Sequence, residues 1–471
     1  MMLRTCQVLY SQAGSPTRGW QPLSFDGGAF HLKGTGELMR ALLVLRLCAW
    51  PPLVTHGLAL QAWSQRLLGS RLSGALLRAS IYGQFVAGET AEEVRGCVQQ
   101  LQTLSLRPLL AVPTEEEPDS TVKTGESWYE GNLRAMLRCV ELSRSLLKTS
   151  APTGNILMQL KLTALISTWL CKVLTSCIGR PGASLELSPE RLAEAMDSGR
   201  DLQVSCLSTE QNSHLQASLS RLQRVVQHAQ AQHVRLLVDA EYTSLNPALS
   251  LLVAALALRW NSSRDGGPWV WNTYQAYLKD THERLRRDAE AADRAGLAFG
   301  VKLVRGAYLD MEREMARLQG TKDPTQPDYE AASQSYRRCL ELMLTHVSHR
   351  GSMCHLMVAS HNEESVHQAT KRAGWLCCIQ VHPLWLPGGG DPLPDPEGPG
   401  EPECAARGPQ GMGAAQSRTS TEAAGAGPEG TMLAHPVVMW SIKVLSYCPS
   451  CYPALKLPPW RRTSLDLTQP S

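Results

Sequence analysis

A parallel α/β barrel is the fold class that the sequence predicts, and three observations predict it. Between residues 97 and 372, short β-branched or leucine-rich runs alternate with longer segments of helical period, the signature of β/α architecture. Each helical segment carries one apolar face, and a helix that buries such a face against a sheet runs the strands on either side of it parallel. Polar residues recur at the ends of several strands, as a barrel requires, whereas an open doubly wound sheet gathers them at one switch point.

The elements follow in chain order. Residues 1–22 carry Arg4 and Arg18 among Ser and Thr, with no acid before Asp26, which suits a mitochondrial transit segment. Residues 41–63 are apolar, but Arg46, Pro51, Pro52 and His56 interrupt them, so a buried or membrane-surface helix pair is expected in place of a span. Strands are expected at residues 108–112, 156–163, 234–241, 269–274, 300–305 and 355–360. Leu215, Leu219, Leu222, Val226 and Ala229 mark one intervening helix, and Tyr277, Leu285, Ala289 and Ala292 another.

After Arg372 the character changes. Residues 387–430 are crowded with Gly, Pro, Ser and Ala without periodicity and are expected to be disordered. Residues 435–471 regain Val, Trp and Leu, broken by Pro449, Pro453, Pro458 and Pro459, with room for a strand or two. The expected organisation is a terminal segment (1–40), a helical region (41–106), a barrel (107–372) and a divergent tail (373–471). Six strands in place of eight predict a (β/α)8-type barrel lacking its last two β/α units, with two unpaired edges that invite aggregation.

Composition narrows the function. A net charge of +3 with 43% hydrophobic residues excludes a general nucleic-acid binder. The 14 cysteines show no repeating spacing, and a chain of 471 residues needs no disulfide framework. Cys448 and Cys451 have redox-type spacing, but no second pair follows them. His346, His349, His355 and His361 share no ligand spacing with carboxylates, so no metal site is expected. There is no Walker-type loop and no Gly-x-Gly-x-x-Gly after a strand, so a dinucleotide would not be held in the Rossmann manner.

The strand ends carry Lys161 and Thr163, Asp239 and Glu241, Asn272 and Gln275, Lys302 through Tyr308, and Ser360 through Asn362. In a barrel these converge on one mouth that suits an anionic ligand. Alternation puts Lys302 and Val304 on one face and Leu303 and Arg305 on the other, while Gly306 would let a phosphate or a ring approach the backbone. Any one of these residues alone reads first as a helix cap or a solvated charge; their convergence is what points to a site. The cations alone leave a phosphate-binding barrel enzyme open as a reading.

The runs Leu-Lys161-Leu-Thr-Ala-Leu, Leu-Leu-Val-Asp239-Ala-Glu-Tyr-Thr, Trp-Asn-Thr-Tyr-Gln275-Ala-Tyr, Lys302-Leu-Val-Arg-Gly-Ala-Tyr308 and Ala-Ser-His361-Asn362 stand in the order found in proline dehydrogenases. Over residues 95–372 the chain resembles that family, nearest its hydroxyproline-oxidising branch, which has the same Val-Asp-Ala-Glu-Tyr-Thr-Ser-Leu-Asn-Pro-Ala run. The resemblance implies a mitochondrial flavin enzyme in which FAD lies across the mouth and takes a hydride from carbon 5 of the pyrrolidine ring. Electrons would then pass to a membrane quinone, with peripheral association at the inner membrane.

By motif match, Lys161 would pair with the substrate carboxylate, Asp239 would line the flavin and substrate pocket, and Tyr308 would pack beside the substrate ring. Gln275 and Lys302 would flank the flavin's reactive edge, and Val304, Gly306, His361 and Asn362 would help hold the cofactor. Family members continue past the helix at residues 365–372 with two more β/α units and a final helix bearing an Arg-Arg pair. This chain departs from them there, which implies the alternative of an inactive product that acts as a non-enzymatic partner of a full-length relative.

Overall fold

The computed structural model describes residues 33–50, 52–53, 56–88, 90–103, 107–112, 114, 125–147, 156–178, 186–199, 202–262, 267–360, 362–373, 377–383 and 438–442. The expectations for residues 1–22 and 387–430 and for Cys448, Cys451 and His361 lie outside the described residues.

Among the described residues, the longer helices ahead of the barrel are α1 (Thr35–Cys48), α2 (Gly57–Leu77) and α3 (Ala91–Thr103). Val94, Val98 and Leu101 bury one face of α3, as their spacing of four and three residues dictates. The barrel then runs β1 (Arg107–Ala111), α4 (Glu126–Leu147), β2 (Ile156–Leu160), α5 (Thr168–Cys177), α6 (Pro189–Ser198), α7 (Thr209–Ala231) and β3 (Val234–Val238). It continues through α8 (Asn246–Trp260), β4 (Val270–Gln275), α9 (Thr281–Arg294), β5 (Phe299–Val304), α10 (Leu309–Gln319), α11 (Tyr329–Arg350), β6 (Cys354–Ala359) and α12 (Glu363–Ala373). The long helix α7 starts on a reciprocal cap in which Ser208 Oγ accepts from Gln211 N and Gln211 Oε1 accepts from Ser208 N, so two otherwise orphaned donors are satisfied.

All six expected strands form, and neighbours pair in parallel. β2 and β3 end at Leu160 and Val238, short of the expected 163 and 241, because the polar residues that follow leave the ladder to line the mouth. The expectation of two open edges is corrected. β7 (Cys377–Pro383) pairs with β1, and β8 (Val438–Ile442) lies between β6 and β7. The ring closes in the order β1-β2-β3-β4-β5-β6-β8-β7. The divergent tail thus supplies two strands, from segments containing Ile379, Val381, Val438 and Trp440. Neither is followed by a helix among the described residues.

Alternation along the strands sorts side chains into layers. Met158, Leu236 and Val238 face outward into the core shared with the helices. Leu109, Leu157, Leu237, Trp271 and Met357 fill the barrel interior as a dry layer. Gly300 belongs to that layer for a steric reason: a Cβ there would lie 2.5 Å from Cγ of the Trp271 indole, so only glycine leaves room for the ring.

One layer deeper, Arg235 and His355 close the floor. Arg235 donates to Pro268 O at 3.0 Å, as does the Trp271 indole at 3.1 Å, and the His355 ring lies 5.6 Å from that of Trp271. Burial, reinforced by the Arg235 charge, pushes the His355 imidazole down to about 4 from an ordinary 6.5. Between those values the unfolded chain binds a proton that the fold refuses, so the stability tied to this group is complete above about pH 6.5 and declines below it. Denaturant unfolding should show a loss of about 3 kcal/mol between about pH 6.5 and pH 4, and a His355→Gln variant should lack that slope.

Candidate active site

The polar residues begin one layer above Leu157 and Leu237. Position 239 follows the last residue of β3, two places from Leu237, so Asp239 turns inward over the apolar layer. Lys302, inward-facing on β5, reaches it across the barrel: Lys302 Nζ lies 2.7 Å from Asp239 Oδ1, with the side chains 1% and 7% exposed. The other carboxylate oxygen accepts from Gln159 Nε2 on β2. Among the described residues Asp239 is the hydrogen-bond partner of the Lys302 ammonium, so two of its three N–H groups remain for a ligand. Among the described residues Gln159 Oε1 is likewise buried with no hydrogen-bond partner. A cation, an anion and an orphaned acceptor therefore meet in one buried cluster.

A second cluster sits at the mouth. Gln275, the last residue of β4, is 1% exposed, and its amide is held on both sides. Nε2 donates to Glu241 O at 2.8 Å and to Tyr277 Oη at 2.9 Å, while Oε1 accepts from Asn246 Nδ2 at 2.7 Å. Asn246 also clamps the backbone of Glu241, accepting from its N–H at 2.8 Å and donating to its carbonyl at 2.9 Å. The Glu241 carboxylate is buried and accepts from Thr163 Oγ1 at 2.7 Å, which ties the loop after β2 to the loop after β3.

That first loop carries Lys161, half-buried where β2 ends. Three side chains from α4 and α7 hold the backbone behind it. Asn132 Nδ2 donates to Ala164 O at 3.0 Å, Arg221 Nε donates to Leu165 O at 2.9 Å, and His214 Nε2 accepts from Ser167 N at 3.1 Å.

Tyr308 is buried beside Tyr242, ring centroids 4.6 Å apart, and its N–H donates to Tyr277 Oη at 3.3 Å. Burial and the nearby Glu312 carboxylate push the Tyr277 phenol up, which keeps it protonated as a hydrogen-bonding strut. Glu312, in the first turn of α10, accepts from both the N–H and the hydroxyl of Thr243 at 2.7 and 2.6 Å. Val304 closes β5, with its carbonyl accepting from Ala276 N at 2.9 Å. Gly306 is exposed, and a Cβ added there would meet no atom within 4 Å, so protein packing gives no reason for a glycine.

Asn362 lies apart from both clusters. Its side chain accepts from Ser365 N at 3.0 Å, capping α12, and donates to Tyr329 Oη at 2.7 Å. The Arg305 guanidinium stands 4.8 Å over the Tyr329 ring and donates to Ser333 and Ser365 hydroxyls. The structure thus joins Asp239 with Lys302, and Gln275 with Tyr308 through Tyr277, and leaves Asn362 on the rim.

Gln159, Asn246, Tyr242 and Tyr277 are site residues that the sequence reading missed. Gln159 carried a signal, since it is the single polar residue in Ile-Leu-Met-Gln-Leu and shares a face with Lys161 two residues on. Asn246 precedes a proline and reads as an ordinary helix start.

The proline dehydrogenase family model matches residues 121–377, more than half of the chain and every one of these side chains. The chain belongs to the proline dehydrogenase family. It is by family an oxidoreductase of the dehydrogenase kind. The hydroxyproline dehydrogenase of Bos taurus is 85% identical over 371 residues, which cover 79% of this chain and 80% of that one. The hydroxyproline dehydrogenase of Homo sapiens is 82% identical over 371 residues, 79% of this chain and 81% of that one. Proline dehydrogenase 1, mitochondrial, of Homo sapiens is 28% identical over 454 residues, covering 73% and 75%.

Asn246→Ala should cost about 3 kcal/mol, because it strips one backbone N–H, one backbone carbonyl and the Gln275 amide of buried partners. The urea midpoint of the full-length variant measures it.

Proposed function

We propose that the protein oxidises trans-4-hydroxy-L-proline, and L-proline more weakly, at carbon 5 of the ring to the corresponding 1-pyrroline-5-carboxylate, which keeps the ring hydroxyl when hydroxyproline is the substrate, in proline and hydroxyproline catabolism. The observation that carries the reading is the buried Asp239, Lys302 and Gln159 cluster, set in a chain 85% identical to a protein named hydroxyproline dehydrogenase. FAD, when bound, would supply the two-electron acceptor for this chemistry.

The residues present fit that group. Two spare N–H groups on Lys302 and the unpartnered Gln159 Oε1 complement a ring edge that offers both carbonyl acceptors and an N–H donor, as the pyrimidine half of a flavin does. Asp239 holds Lys302 in place and neutralises it, so the pair presents an oriented dipole with its positive end on Nζ. A fixed positive end of that kind stabilises negative charge that develops beside it.

The bare surface over Gly306, with Val304 at the strand end, would let a cofactor pass close to the backbone. Asn362 would help to hold it from the rim, and His361 is assigned with it on sequence alone. Gln275 would contact the cofactor chiefly through its surface, because its amide is already engaged by Glu241, Asn246 and Tyr277.

Lys161 would neutralise the carboxylate of the zwitterionic imino acid, since an unpaired charge taken into a dry pocket costs several kcal/mol. Tyr308, braced by Tyr242, would pack beside the pyrrolidine ring. The electrons would pass on to a membrane quinone. A mitochondrial location, on the matrix side, is supported by the relative named proline dehydrogenase 1, mitochondrial.

A second reading, a non-catalytic product that partners a full-length relative, is favoured by one observation. The match to the hydroxyproline dehydrogenases covers 79% of the chain, and the barrel is closed by tail strands in the order β6-β8-β7-β1. The visible spectrum of the purified chain separates the two. A flavin band that bleaches when hydroxyproline is added is the expected result; colourless protein, or a band indifferent to imino acids, would favour the non-catalytic product.

A further inference from the structure

Helix α2 is built inside out. Its half-buried positions include Gln61, Ser64 and Gln65, and Ser73 is buried, with the Ser64 and Ser73 hydroxyls hydrogen-bonded at 2.7 Å. Six of its large apolar residues face outward. Leu60, Trp63 and Leu67 recur at spacings of three and four along one exposed stripe, with Trp63 64% and Leu67 66% exposed. At Gly69 the backbone leaves helical geometry (φ 72°, ψ 164°), and a second exposed stripe of Leu68, Leu72 and Leu76 continues beyond it at spacings of four.

Neighbouring α1 does the same with Met39, Leu42 and Leu43. Exposed apolar stripes of this kind mark an interaction site. No helix among the described residues is long and apolar enough to cross a membrane.

The charge pattern selects the occupant. From Leu38 to Gly88 the chain carries Arg40, Arg46, Arg66, Arg71 and Arg78 and no acid at all. Arg66 and Arg71 are exposed on α2 beside the leucine stripes. Leucine and tryptophan stripes flanked by arginine are what a helix needs to lie in the headgroup region of an anionic bilayer.

We propose that α1 and α2 form a membrane-docking surface that seats the barrel on an anionic lipid bilayer, with the apolar stripes among the acyl chains and Arg66 and Arg71 on the phosphates. This names the surface through which the proposed quinone chemistry would meet its lipid-soluble acceptor. Vesicle binding is read without turnover, so a failure of the docking surface is distinguishable from a failure of the proposed oxidation.

Co-sedimentation of the full chain with phosphatidylcholine vesicles, with and without phosphatidylglycerol, tests it. Binding should require phosphatidylglycerol and weaken as salt is raised. The triple variant Leu60→Ser, Trp63→Ser, Leu67→Ser should bind at least about tenfold more weakly, and Arg66→Gln with Arg71→Gln about tenfold or more. Unchanged far-ultraviolet circular dichroism and melting of the variants would assign the loss to the surface. Failure of the full chain to bind, or binding untouched by either variant, would overturn the proposal. So would light scattering that shows a dimer dispersed by the triple variant, which would make the occupant a second copy of the chain.

Discussion

An ion pair in the dry interior of a barrel is the constraint around which the rest of the site is arranged. Removing the Asp239 carboxylate and the Lys302 ammonium from water is expensive, and their mutual attraction offsets that cost only when the geometry is close and the remaining lone pairs are met. The geometry is close here, with Nζ and Oδ1 2.7 Å apart, and Gln159 donates to the second carboxylate oxygen. The dry layer of Leu109, Leu157, Leu237, Trp271 and Met357 lies beneath the pair. Above it, Asn246, Gln275, Tyr277 and Glu241 lock the strand ends against one another. A dry floor and a tied rim let the pair stay buried with donor and acceptor capacity to spare.

Much of this was legible in the sequence. The six strands announced themselves through β-branched runs, and Lys161, Asp239, Gln275 and Lys302 all lie on or just past those strands. What stayed hidden depends on three-dimensional closure. Asp239 follows β3 and Lys302 sits on β5, with β4 between them, and only the curvature of a closed barrel brings them across the interior to each other. Gln275 looked like a free amide, whereas its partners come from Glu241, Asn246 and Tyr277, two of which carry no chemical signature of their own. The floor pair of Arg235 and His355 was invisible for the same reason.

The tail shows how edges behave. Six parallel strands expose two rows of unpaired backbone groups, and such rows recruit whatever extended segment is available. Here segments at 377–383 and 438–442 take the two vacant places, in an order that crosses over. Their pairing is through the backbone, for which side-chain identity matters little, so these segments complete the ring. Every residue of the candidate site nevertheless comes from within the family-matched stretch of 121–377, and the hydrogen bonds of Asp239, Lys302 and Gln275 run among β2 to β5 and the loops and helix starts that follow them.

Asp239 and Lys302 act as one buried unit, and a double-mutant cycle measures that directly. Asp239→Asn, Lys302→Met and the double variant would be compared with the parent chain by denaturant unfolding. Each single change should cost about 3–5 kcal/mol, and the double should cost less than their sum by at least about 2 kcal/mol, because removing both charges leaves neither stranded. Additive losses would contradict the account and mean that the two residues are buried independently.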